Sequence, residues 1–376
     1  MSAARASGLR ERLWWSRRPS AGDRLLGAPL LLAEGLFRAG AAVRGALHGA
    51  GVLPSTRAGV PVVSVGNLAV GGAGKTPVAL CIAGRLLDSG RRPAVLSRGY
   101  GATRSDDRVV SDGERVLLDA AAGGDEPVLL ARRQPGLRVL CGADRARLAP
   151  MAVAMGADVL LLYDGFQHRR LRRDLDVVVL DASNPWGNGH CLPFGPNREP
   201  RSALRRAGLV WLTHADRAPP AELDALRELS TRATGHAPVE SRHAARDVTD
   251  GRLDRLFPLS DLAGRRVALL TGVARPESVR RTVESLGATV VASFAYPDHH
   301  RFSEGEVAAA LEGAGRRGAE LVVTTEKDAV RLPEGVAGDP RIFAVRIDAE
   351  VLRGEDVLGA ALHAALQGAA PSGGAG

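Results

Sequence analysis

Lysine is nearly missing from this 376-residue chain. Of its 50 basic side chains only two, Lys75 and Lys327, are lysine, and arginine fills every other place. Arginine is a wide planar fork, whereas lysine is a compact point charge with rotatable donors. A composition that leans so hard to arginine marks the two exceptions, and a tight phosphate loop is a place where the difference matters. Cysteine is also scarce, with Cys81, Cys141 and Cys191 standing far apart. That spacing excludes paired zinc ligands, and an odd, sparse set excludes a disulfide framework, which fits a reducing compartment. Long apolar runs are missing near the N-terminus, where the uncharged stretch Leu25 to Ala33 is nine residues long. A spanning helix needs ~20. Glu34 and Arg38 interrupt the apolar core that a signal peptide would require. No internal repeat is visible.

What is present is an ordinary hydrophobic content of 45%, which excludes wholesale disorder, in a chain long enough for two α/β domains. The formal charge of +8 suits nucleic acid, an anionic membrane surface or phosphorylated ligands. Arginine, alanine and glycine dominate everywhere, so a genome-wide bias explains the charge equally well. Residues 9–50 join Arg10, Arg12, Trp14, Trp15, Arg17 and Arg18 to the leucine run. Such a segment either lies in a membrane interface or packs on the protein as an amphipathic helix. The paired tryptophans flanked by arginines favour the membrane.

The strongest local signal begins at Pro61-Val-Val-Ser-Val-Gly66, a short buried strand. A glycine loop follows, with Gly71, Gly72, Ala73 and Gly74 before Lys75 and Thr76, and then a helical pattern from Pro77 that stops at Gly90. Strand, glycine loop, Lys-Thr and helix make the setting of a nucleotide-binding P-loop. Backbone N–H groups would cradle phosphates, aided by the helix N-terminus. Lys75 would reach the β/γ-phosphates and the Thr76 hydroxyl would hold Mg²⁺. The first glycine of the usual pattern is replaced by Ala69. A second strand, Asp158 to Tyr163, ends in Asp164, as a Mg²⁺-binding Walker B element does. Gln167 and His168 would lie just beyond it. Asp125, next to Glu126-Pro127 at the start of a helical run, reads from spacing alone as an N-cap. Asp298-His299-His300 reads either as a polar loop after the strand Val290 to Phe294 or as part of a site.

Further strands are expected at 205–213, 265–272 and 321–325, with helices between them. Alternating strands and helices predict α/β architecture, a parallel sheet flanked by helices. The expected organisation is a helical membrane-associated segment over 1–55, a P-loop domain over 56–220, a second, smaller α/β domain over 235–365 and a disordered tail over 366–376. Lys327 falls at a strand end, where ligands gather.

Taken in order, these motifs resemble the tetraacyldisaccharide 4'-kinase (lipid A 4'-kinase) family. The resemblance runs through Val65-Gly-Asn-Leu68, Gly71 to Pro77, Ser97-Arg-Gly-Tyr-Gly101, Gly124-Asp-Glu-Pro127, Asp144-Arg145, Asp164-Gly-Phe-Gln-His168, Leu192 to Glu199, Asp298-His-His300 and Thr325 to Val330. Alanine at the first P-loop glycine is also that family's habit. The resemblance implies a P-loop kinase that uses ATP and Mg²⁺ to phosphorylate the 4'-hydroxyl of a tetraacylated glucosamine disaccharide 1-phosphate in lipid A (lipopolysaccharide) biosynthesis. It implies a peripheral place on the cytoplasmic face of the bacterial inner membrane, a lipid-linked substrate and no nucleic-acid partner. It also implies Asp125 as general base assisted by His299, Lys75 in catalysis, and Asp164 with Thr76 at the metal. Arg145, Gln167, Arg198 and Glu199 would lie near the substrate. One departure stands out: the family usually has two consecutive acids before Gly-Phe-Gln-His, and here the first is Tyr163. Two rival readings remain. A P-loop GTPase of the metal-chaperone kind would want Asn-Lys-x-Asp, and Thr213-His-Ala-Asp216 lacks the lysine. A catalytically weakened binding paralogue would account for Tyr163.

Overall fold

The computed structural model describes residues 12–16, 20–103 and 106–367. Their strands join in one sheet of thirteen. Its first half centres on β1 (Val62–Asn67), flanked in parallel by β5 (Val159–Tyr163) and β6 (Leu175–Asp181). Beyond β5 lie β2 (Pro93–Ser97), β4 (Arg138–Cys141) and the antiparallel edge β3 (Arg108–Asp112). Beyond β6 lies β7 (Leu209–Thr213), which pairs briefly with β8 (Val239–Asp250). β8 runs antiparallel to the long β13 (Ile342–Arg353) and also pairs with the short β9 (Leu256–Phe257). After β13 come β12 (Leu321–Thr325), β10 (Arg266–Thr271) and β11 (Thr289–Ala295), all parallel. Chain order reverses around β1, so β1 ends at a crevice of the kind in which α/β sheets bind ligands.

The pleat sorts side chains between two cores. Val63 and Val65 of β1, with Val159, Leu161 and Tyr163 of β5, face a helix covering Lys75–Asp88 through Ile82, Ala83 and Leu86. Val62, Leu160 and Leu162 face the helix Arg145–Ala154 through Leu148 and Ala152. Each fully buried leucine or isoleucine contributes roughly 1.5–3 kcal/mol of transfer free energy. The last helix, Glu355–Gln367, joins the first of these cores through Leu358, Leu362 and Ala365. It continues two residues past the expected start of the tail, whose remainder, 368–376, lies outside the described residues.

Three sequence expectations shift. The strand expected over 205–213 is only Leu209–Thr213, because Arg201–Arg206 forms a 3₁₀ helix. Gly208 follows, where any Cβ would meet Leu175 at 2.8 Å. The helix expected from Pro77 begins at Lys75, since proline in a first turn gives up an N–H that has no helical partner. Trp14 and Trp15, expected at the membrane, pack on the protein: Trp14 Nε1 donates to the Pro193 carbonyl at 3.0 Å, and Trp15 lies against Gly71. Arg10, Arg17 and Arg18 are outside the described residues.

Candidate active site

β1 runs into the glycine loop, and the helix that follows starts from Gly74 in the left-handed region, at φ 81°. A side chain there is excluded twice over: by φ, and because a Cβ would lie 2.6 Å from His243 Nε2 and 3.0 Å from Thr213. Gly74 makes no side-chain cap, so the first-turn N–H donors are not spent on one. Thr213 Oγ1 donates to the Ala73 carbonyl at 2.9 Å and pins the loop from β7. Ala69 forms an isolated antiparallel bridge with Asn197, and Val70 N donates to Pro196 O at 2.8 Å. The chain at this position is extended, which alanine adopts freely.

The P-loop lysine faces the end of β5. Lys75 Nζ is 3.4 Å from Asp164 Oδ1, while Arg198 donates to Asp164 Oδ2 at 2.8 Å. Burial draws the Lys75 ammonium down from its usual value, and Asp164 opposes it. Burial works against the ionised Asp164, but Lys75 and Arg198 outweigh it and hold this carboxyl below its usual range. Asp164 adopts φ 52°, left-handed for a non-glycine residue; such outliers gather at functional sites. Gln167 Nε2 donates to Asn67 O at 3.0 Å and to Glu199 Oε1 at 3.1 Å, and Arg206 holds Glu199 from the other side. Arg145 opens its helix, is 8% exposed, and has its guanidinium drawn down by burial and steadied by Asp164. Lys75, Asp164, Arg198, Gln167, Glu199 and Arg145 are thus brought into one cluster.

Where the family usually has the first of two acids stands Tyr163, whose hydroxyl lies 2.7 Å from Thr76 Oγ1. Burial first, then the nearby Glu126, pushes the phenol well above its usual range.

A second group forms where the two halves of the chain meet. Asp125 is not an N-cap: Gly124, at φ 92°, holds that position and Asp125 is the first residue of the helix Asp125–Arg133. The residue is 4% exposed, and its Oδ2 lies 2.9 Å from His299 Nδ1 and 3.6 Å from Arg331 Nε. His299 is itself left-handed, at φ 61°, and its ring packs edge-on to Tyr100 at 5.7 Å. Lys327 Nζ lies 3.4 Å from His299 Nε2 and 3.4 Å from Glu126 Oε1. The second lysine therefore stands beside the Asp125–His299 pair. Sequence reasoning passed over Glu126, Arg206 and Arg331; Glu126 had one available signal, its place beside Asp125 in a matched motif.

The profile of a family described as Tetraacyldisaccharide-1-P 4'-kinase (LpxK) matches residues 26–367. The chain belongs to that family. A tetraacyldisaccharide 4'-kinase of Anaeromyxobacter dehalogenans (strain 2CP-1) is 64% identical over 363 residues, 96% of either chain. One of Syntrophus aciditrophicus is 43% identical, covering 85% of this chain and 88% of that one. Among solved structures, LpxK from Aquifex aeolicus in complex with ATP superposes with TM-score 0.75 at 28% identity, covering 91% of this chain and 99% of that one. Membership in the LpxK family makes this chain an ATP-using kinase and sets the GTPase reading aside. The site fits Mg²⁺: Thr76 and Asp164 offer hard oxygen atoms. No group of three or more His, Cys, Asp or Glu side chains able to hold a metal occurs among the described residues. Such a sparse donor set suits an ion that takes its other ligands from nucleotide phosphates and water.

Proposed function

We propose that Asp125, oriented by His299, takes the proton of the 4'-hydroxyl of tetraacyldisaccharide 1-phosphate as ATP's terminal phosphoryl group is transferred. Lys75 and the loop N–H groups carry the charge of the transferring group, and Mg²⁺, when bound with ATP, neutralises it further. Phosphoryl transfer asks mainly for positioning and charge neutralisation, but a sugar hydroxyl is a poor nucleophile without a base in reach. Residues 56–220 act as the nucleotide-binding unit, and 235–365 bring His299 and Lys327 to Asp125. Arg145, Gln167, Arg198 and Glu199 serve the reacting groups. The observation that carries the reading is the part-buried Asp125–His299 contact formed between segments 174 positions apart. The test is to incubate the purified protein with ATP, Mg²⁺ and the disaccharide 1-phosphate. The expected product carries a second phosphate at the 4'-position; no product would sink the reading.

The site works at a membrane surface. No helix among the described residues is long and apolar enough to cross a membrane. The helix Ala21–Gly49 nevertheless exposes Leu32, Leu36, Val43 and Leu47, at positions that fall on one face. Glu34, on the protein side, is buried against His190 Nδ1 and Cys191 N, both at 2.8 Å. An apolar stripe turned outward on a docked helix suits a peripheral contact with the inner-membrane surface. Replacing Leu32, Leu36 and Val43 together with serine should abolish flotation with anionic phospholipid vesicles while leaving the melting temperature unchanged. Undiminished flotation would refute this contact.

A further inference from the structure

We propose that Arg331 is the positioning residue of the Asp125 base: a buried guanidinium, carried by the second half of the chain, that holds one carboxylate oxygen of Asp125 and leaves the other for the acceptor hydroxyl. The inference rests on the reading of Asp125 as that base. Arg331 lies just past the short helix Glu326–Ala329, and its side chain is 1% exposed. Its guanidinium is fixed from its own half. Nε donates to Lys327 O at 3.0 Å, and Nη2 donates to Gly272 O at 3.1 Å and to the Asp328 carboxylate. Asp328 is fully buried and is held in turn by Gly272 N at 3.0 Å and Thr325 Oγ1 at 2.8 Å. His299 N donates to the same Gly272 carbonyl at 3.1 Å, so one peptide registers both groups that meet Asp125.

The contact with Asp125 is one of charge. A guanidinium stays protonated, and burying it without an answering carboxylate is costly. Asp328 answers one edge. Asp125 comes from the first half to the other edge, with Oδ2 3.6 Å from Nε. That is beyond a hydrogen bond, and the Nε proton already points to Lys327 O. His299 Nδ1 meets the same Oδ2 at 2.9 Å. Oδ1 makes no hydrogen bond among the described residues and faces Gly101, where a Cβ would lie 4.0 Å away. The two oxygens are thus unequal: Oδ2 is tethered, and Oδ1 is left to take the proton. Arg331 Nη1 is buried with no hydrogen-bond partner. An arginine kept for the fold alone would rarely be left with such a donor, since each one costs stability.

The test is a mutant cycle on the full chain, with kcat and the KM for ATP read on the lipid disaccharide and the melting temperature followed in each variant. Arg331→Met is combined with Asp328→Asn, so that the cation leaves together with its local counter-charge and no buried carboxylate is orphaned. This neutral pair should lower kcat about tenfold, within the coupling range of residues in contact, with the KM for ATP unchanged. Placed in an Asp125→Asn background, the same pair should cost nothing further, because Arg331 acts through Asp125. Arg331→Lys returns the charge and should recover most of the rate. Losses that multiply in the Asp125→Asn background would overturn the inference, as would a parent-like kcat in the neutral pair or an Arg331→Lys variant as slow as that pair. If the neutral pair does not fold, Arg331→Lys decides: a kcat near the parent's supports the role of the charge, and a tenfold loss in a folded variant refutes it. A parent-like kcat in Asp125→Asn alone would mean that the base reading itself fails. Multiplying losses beside a slow Asp125→Asn would instead leave the base in place and remove only Arg331.

Discussion

The phosphate loop and the Asp125 corner are built in opposite ways. The loop is one contiguous stretch between β1 and the helix Lys75–Asp88, shaped by its own backbone and by that helix's N-terminus. The corner has no local origin. Asp125 opens a helix in the first half, while His299 and Lys327 follow β11 and β12 in the second. Its geometry therefore depends on how the halves are held, and a buried ion cluster holds them there. Arg133, at the other end of the Asp125 helix, donates to Glu326 at 2.6 Å and pairs with Asp348 of β13, and Arg133 and Glu326 are almost fully buried. A binding loop can be made by a segment; a side-chain pair such as Asp125–His299 has to be made by a fold.

The comparison predicts that damage to the two regions separates in kinetics. Lys75→Ala should have the largest effect, about a thousandfold or more in kcat/KM, since it removes the buried charge proposed to carry the transferring phosphoryl group. Retained turnover of the lipid disaccharide would end the P-loop assignment. Asp125→Asn should lower kcat by about a hundredfold or more, the usual contribution of a positioned base, with ATP affinity kept. Calorimetric ATP titration of both variants checks the contrast: a deficit in ATP binding for Lys75→Ala and none for Asp125→Asn. If Asp125→Asn instead loses thermal stability with kcat intact, the residue serves the fold and the corner has no base.

The same contrast explains what could be read in the sequence. The loop and the core strands are periodic and local, and β12 falls where its pattern places it, at Leu321–Thr325. Asp125 looked like a helix cap because aspartate before a first-turn proline usually is one. Gly124 takes the cap instead, with a backbone so close to the 99–100 turn that a Cβ would lie 3.0 Å from Tyr100 O. No spacing rule shows such an approach. Family resemblance, not periodicity, pointed to Asp125 and His299. Tyr163 was visible as a departure, but its partner Thr76 follows from strand register and pleat, which neither segment encodes alone. Trp14 and Trp15 misled because interface and packed helices share one composition, and the membrane-facing candidates became Leu32, Leu36 and Val43 only once burial was known.

The scarcity of lysine offers the finest probe of the comparison. One lysine serves the loop and the other stands at the corner. An ammonium has donors only, so Lys327 beside His299 Nε2 makes that nitrogen the acceptor and leaves the proton on Nδ1, facing Asp125. Lys327→Met should therefore free the ring and lower kcat about tenfold, the worth of one charge-assisted hydrogen bond, with the KM for ATP unchanged. Nitrogen-15 resonances of His299 would report the cause directly: a protonated Nδ1 and bare Nε2 in the parent chain, a tautomer mixture in the variant. Lys327→Arg should restore the charge without the compact reach and recover only part of the rate. A tenfold loss with an unaltered His299 tautomer would mean that Lys327 works instead through Glu126, its other partner at 3.4 Å.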